Sequence, residues 1–164
     1  NQEWSKDQQV CIKINQTLSM SKYATGKYQI KNVAKYVGKK QPTYRSGWEF
    51  TFMTFCDNNP SVINWASEPF MVPYRNPFTG KNTIYVPDFL IVYVDRSDAK
   101  HAEVIEIKPR KEISMENARS ARDQAAAVLN AAKWAAARAW CSQQGLKFRI
   151  VTEEDIFAGI KKTR

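Results

Sequence analysis

Histidine and cysteine are scarce in this chain of 164 residues. There is one His, His101, and the three Cys, Cys11, Cys56 and Cys141, lie far apart with no C-x-x-C pair. Such a set excludes a Cys/His zinc site, thiol catalysis and His-dependent triads. Three isolated thiols read instead as reduced and mostly buried, as in a cytoplasmic protein. Long apolar runs are also missing. The longest, Phe89-Leu-Ile-Val-Tyr-Val94, is far short of the roughly 20 residues that span a bilayer, so no membrane partner is expected. The first residues, Asn1-Gln-Glu-Trp-Ser-Lys-Asp7, lack the apolar stretch of a signal peptide. Repeats and low-complexity segments are absent too.

Acid is in deficit: 25 Lys and Arg stand against 16 Asp and Glu, a net charge of +9. A surplus of this size attracts polyanions, nucleic acid first and an acidic protein surface second; it speaks of partners, not of fold. The cations are spread along the chain and do not form a basic tail. What is present in quantity is apolar material, 43% of residues with 12% aromatic, enough for the core of one domain.

The pattern predicts a single α/β domain, a mixed β-sheet flanked by helices. Residues 1–27 read as a polar arm with a short helix around Lys6–Leu18, and 28–164 as the domain proper. A helix is expected from Ser46 to just before Pro60, because Trp48, Phe52 and Phe55 recur at helical spacing. Strands are expected over Pro69–Tyr74 and Thr83–Val94, joined as a hairpin by Asn-Pro-Phe-Thr-Gly-Lys-Asn. A third strand follows at Ala102–Lys108. Ser114–Gln144 reads as one long Ala-rich helix closed by Gly145, with Trp134 and Trp140 in the core and not in a base-stacking platform. Lys147–Thr152 is a fourth strand, and Thr152-Glu-Glu-Asp caps a last short helix.

The chemistry concentrates in Val86-Pro-Asp88-Phe-Leu-Ile91 and Glu103-Val-Ile-Glu106-Ile-Lys108-Pro109. Residues two apart in a strand share a face, so Glu106 and Lys108 stand together while Ile105 and Ile107 point the other way. Two readings compete: a solvated face with a weak ion pair, or a divalent metal site with a lysine beside it. Phosphodiester hydrolysis needs a hard cation and oxygen ligands, and Mg2+ commonly takes only one or two carboxylates. Asp88 and Glu106, with the Ile107 carbonyl as a further ligand, supply such a set if their strands pair. Lys108 would then orient or deprotonate the attacking water.

This P-D…E-x-K arrangement, its two acids eighteen residues apart, resembles the PD-(D/E)XK nuclease superfamily. The likeness narrows with Tyr44-Arg-Ser-Gly-Trp-Glu-Phe50, Trp65-Ala-Ser-Glu-Pro-Phe-Met-Val-Pro-Tyr74, Val104-Ile-Glu-Ile-Lys-Pro109 and Gly145-Leu-Lys-Phe-Arg-Ile-Val-Thr-Glu153. With Asn130-Ala-Ala-Lys-Trp134 and Ala139-Trp-Cys141, these resemble the head completion nucleases of myophages over about residues 28–158. That resemblance implies a metal-dependent DNA endonuclease with Mg2+ as cofactor and Mn2+ as a substitute. It also implies a place in the capsid neck of the virion and in the host cytoplasm, with portal or neck proteins as further partners. A transposon end-cleaving subunit and a structural neck protein that retains the fold are the alternatives.

Three assignments stay two-sided at the sequence level. Ser46-x-x-Glu49 has the spacing of a capping box, but nucleases of this superfamily carry a Glu on the helix before the hairpin, and the resemblance places Glu49 at the metal site. Glu68, read at a strand start, is balanced between a structural hydrogen bond and a metal-proximal role. Arg45, Arg110, Lys111 and Lys133 are candidate phosphate contacts, each an ordinary surface cation when taken singly. Gln124 is followed by Val128 and so lacks the Gln-x-x-x-Tyr of RecB-like nucleases; it receives no role.

Overall fold

A computed structural model describes residues 24–113, 116 and 118–157. The proposed arm helix over Lys6–Leu18 and Cys11 lie outside these residues. Two short strands, β1 (Gly26–Lys27) and β2 (Thr43–Tyr44), pair antiparallel ahead of helix α1 (Gly47–Asn58). β3 (Val62–Ser67), β6 (Phe89–Val94), β7 (Lys100–Ile107) and β8 (Lys147–Val151) form the central sheet in the order β3-β6-β7-β8. The first three run antiparallel to their neighbours, and β8 is parallel to β7. Between β3 and β6 a separate hairpin, β4 (Val72–Arg75) with β5 (Asn82–Tyr85), stands as its own two-stranded sheet. The long helix α2 (Ala121–Gln143) makes the crossover from β7 to β8, and α3 (Glu153–Phe157) follows β8. A parallel pair requires such a crossover.

Local chemistry accounts for the helix ends. Ser46 Oγ accepts the Glu49 N–H at 3.1 Å and starts α1, and Asn59-Pro60 stops it. At the C-terminus of α2, Gly145 takes φ 72° and Leu146 N–H reaches the Cys141 carbonyl at 2.8 Å. This is the left-handed closure expected for that glycine. The N-terminus of α2 corrects the expected start at Ser114. Pro109 leads into a 3-10 turn at Arg110–Glu112, and the helix begins only after Ser120, whose hydroxyl accepts the Asp123 N–H.

The expected strand Thr83–Val94 is two strands in two sheets. Val86-Pro87-Asp88 breaks it, since Pro87 cannot donate to a ladder, and the chain passes from β5 in the hairpin to β6 in the sheet. β3 was not anticipated; its Val62 and Trp65 are buried, but the strand shows no regular alternation.

The sheet is covered on both faces. Phe52, Phe55, Trp65, Phe89, Ile91 and Ile105 form the core beneath α1. Val72, Tyr85, Trp134 and Ala137 form a second cluster between hairpin and α2, with Trp140 packed against it. Trp134 is thereby a core residue, as expected. β7 sits between two neighbours and two covered faces, and Val104 through Ile107 are all buried along it.

Candidate active site

Glu106 lies on the β7 face opposite Ile105 and Ile107, but that face is not solvated: Glu106 is only 5% exposed. The reading as a weak surface ion pair is excluded by this burial. Asp88, half-buried, occupies the link into β6. The register Phe89↔Ile105 brings that link beside the end of β7. Asp88 Oδ2 accepts the N–H of Ile107, the residue next to Glu106, at 2.8 Å. The pairing required by the sequence argument is therefore present, and it ties the two acids together through the backbone.

Burial, followed by the charge of Glu106, pushes the Asp88 carboxyl well above the usual range, with Glu49 adding to it. Burial raises Glu106 as well, against the opposing hydrogen bond from Tyr85 and the charges of Lys108 and Lys133. Lys108 Nζ is 3.8 Å from Glu106 Oε1, an ion pair without a hydrogen bond. Two carboxylates are thus held close in a poorly solvated place, where a cation between them relieves both burial and repulsion. Among the described residues no three His, Cys, Asp or Glu side chains converge to cage a metal. A pair of carboxylates with open positions suits Mg2+, which keeps water and takes phosphate oxygens.

Glu49 does not complete a triad. Its Oε2 accepts the Arg45 N–H at 3.0 Å and the Ser46 hydroxyl at 3.1 Å, so Glu49 does close the N-terminus of α1, through the N–H before the cap residue and not that of Ser46 itself. It is also close enough to raise the proton affinity of Asp88. A cleft of about 450 Å³ opens here, lined by Ser46, Glu49, Ile107, Lys108 and Lys111 among others. Glu68 is not at a strand start. It follows β3 in a left-handed conformation, φ 49°, donates its N–H to the Asp88 carbonyl at 2.8 Å and pairs with Arg45 Nη1 at 2.7 Å.

The four cations do not line one wall. Lys111 borders the cleft, and Arg45 is near Glu49 and Asp88 while paired with Glu68. Lys133 lies on α2 with Nζ 5.9 Å from the centre of the Tyr85 ring, on the Glu106 side. Arg110 is occupied: its side chain pairs with Glu154 and its N–H donates to Glu153 Oε2 at 2.9 Å. The two described cysteines, Cys56 and Cys141, are free and buried. His101 pairs with Asp95 at 2.7 Å and stacks on Tyr93, away from the acids.

Tyr85 was missed by sequence reasoning. Its hydroxyl donates to Glu106 Oε2 at 2.5 Å, a contact made by hairpin packing that no local motif signals.

The fold and this pair of acids define a PD-(D/E)XK-type nuclease, and residues 59–153 match the family described as TnsA-like endonuclease N terminal. Over 146 residues the chain is 36% identical to the Head completion nuclease of Enterobacteria phage T4, covering 82% of this chain and 94% of that protein. The chain belongs to this family of head completion nucleases, within the TnsA-like endonuclease class.

Proposed function

We propose that the protein is a Mg2+-dependent DNA endonuclease acting at completion of a phage head, in the virion neck and the host cytoplasm. The observation that carries the reading is the pair Asp88 and Glu106, the first held by the Ile107 N–H and the second by the Tyr85 hydroxyl, beside Lys108. Asp88 and Glu106 would hold the metal. The Ile107 carbonyl would join them, since a strand residue's N–H and C=O address the same neighbour and the Ile107 N–H faces Asp88. The bound ion supplies charge neutralisation at the phosphate and polarisation of a water, and Mn2+, with the same taste for oxygen, substitutes for it.

The chain's own residues do the rest. Lys108, a compact cation at the cleft edge, orients the attacking water or stabilises charge growing on the phosphate. Glu49 closes the cleft from α1 and adds negative potential that strengthens cation binding at Asp88. Lys111, Arg45 and Lys133 draw the DNA backbone toward the acids, which confers affinity without sequence preference.

The test is cleavage of supercoiled plasmid with Mg2+, and again in excess EDTA. Cutting only with metal supports the reading, and no cutting under either condition overturns it. The match to the TnsA-like family favours a second reading as a transposon end-cleaving subunit. The coverage of almost the whole length of the phage relative weighs against it. Portal or neck proteins are the further partners this role calls for; a structural neck role alone would not require Asp88, Glu106 and Lys108 together.

A further inference from the structure

From the geometry around Glu106 we infer that Tyr85 is a positioning residue of the reaction, its hydroxyl fixing the carboxylate that would hold the metal. The inference rests on the nuclease reading above and extends it to a residue that no motif marks. Glu106 has two oxygens with different surroundings. Oε2 takes the Tyr85 hydroxyl at 2.5 Å, and Oε1 is the oxygen 3.8 Å from Lys108 Nζ. One oxygen is thereby engaged from the hairpin side, and the other is left on the side of Lys108. Without that anchor the Glu106 carboxylate, repelled by Asp88, would turn away from it, because like charges in a buried site separate when they are able to.

Tyr85 is well built for this task. It is only 6% exposed, and its ring belongs to the cluster with Val72, Trp134 and Ala137. It pairs with Val72 across the β4–β5 hairpin. The hairpin is outside the central sheet, so its packing on α2 carries a hydroxyl to a carboxylate twenty-one residues further along the chain. Groups that orient metal-binding carboxylates set their affinity, and their loss typically weakens metal binding or activity about 10–100-fold. Lys133, above the Tyr85 ring, belongs to the same assembly.

The experiment uses the full chain with Tyr85→Phe, which keeps the ring and removes only the oxygen. Mn2+ affinity is measured by the electron paramagnetic resonance of free Mn2+, alongside plasmid cleavage kinetics and thermal melting. The expected result is a Mn2+ dissociation constant raised about tenfold or more, with kcat lowered, KM for plasmid unchanged and the fold retained. In a Glu106→Gln background, Tyr85→Phe should then change Mn2+ affinity by less than about twofold, because coupled residues are not additive. A lower melting temperature with wild-type Mn2+ affinity would make Tyr85 merely structural and overturn the inference. An undiminished effect in the Glu106→Gln background overturns it too, since the hydroxyl would be acting elsewhere. Wild-type protein that neither binds Mn2+ nor cleaves removes the nuclease reading itself, and the inference falls with it.

Discussion

Replacing Asp88 or Glu106 by Ala is expected to abolish metal-dependent cleavage while leaving the metal-free protein folded and more heat-stable at neutral pH. Both acids have raised proton affinity, from burial first and, for Asp88, from Glu106 next. The folded state therefore keeps protons that the unfolded chain has already released. That contribution to stability is complete below the ordinary carboxylate range and is lost as pH rises through the raised values. The metal-free melting temperature should accordingly fall as pH rises from the carboxylate range toward neutrality. Mg2+ should restore it, and Asp88→Asn should flatten the fall. Differential scanning calorimetry at several pH values, with Mg2+ or EDTA, checks all three; a wild-type curve flat in pH and indifferent to Mg2+ would contradict the proposed site. At Lys108, Ala should lower kcat by 10²-fold or more with little change in DNA affinity, because the role is in the transition state. Arg should restore little of it, its wide fork being a poor replacement for a point charge. Single-turnover cleavage with separate binding measurements decides this, and a variant that binds weakly but turns over normally would make Lys108 a phosphate anchor.

At the scale of elements, the hub is Asp57, fully buried near the C-terminus of α1. Its carboxylate accepts the Tyr28 hydroxyl at 2.9 Å and the N–H groups of Lys31 and Asn32 at 2.8 and 2.9 Å. These bonds fasten the segment leading to β2 onto the helix that carries Glu49. Asp57→Ala would leave the buried Tyr28 hydroxyl and two part-buried N–H groups, those of Lys31 and Asn32, without their acceptor. A destabilisation of ~2 kcal/mol or more in urea unfolding is expected. A change below ~1 kcal/mol would mean that solvent reaches these donors and that the segment is not anchored there. The same element logic explains Glu49: a capping residue and a neighbour of Asp88 are one position, because the N-terminus of α1 ends against the link into β6.

For the whole molecule, the net charge of +9 predicts DNA binding that weakens steeply with salt. Neutralising Lys111 or Lys133 should each lower the slope of log affinity against log salt by about one, on any DNA sequence. Arg45 and Arg110 should change it less, because Glu68 and Glu154 already pair with their side chains. A filter-binding salt titration measures this. Wild-type slopes in all four variants would assign the basic surface to an acidic protein partner of the capsid instead of DNA. No helix among the described residues is long and apolar enough to cross a membrane.

The acids were legible in the sequence because their motif is local: Pro87 before Asp88, an apolar strand after it, and Glu106-Ile107-Lys108 closing another. Helix ends were legible for the same reason, as at Ser46 and Gly145, where one residue's hydroxyl or backbone freedom decides the geometry. The start of α2 was not, since helix propensity runs through residues 114–120 and only the turn after Pro109 and the Ser120 cap delay it. Tertiary structure alone decided that Thr83–Val94 divides between two sheets, that the Glu106 face is buried, and that Tyr85 reaches Glu106. Those outcomes depend on which surfaces meet across long stretches of chain. A strand's own pattern states that a face is polar or apolar, but not what will cover it: Glu106 has the signature of a solvated position and acquires its chemistry only because a hairpin and a helix close over it.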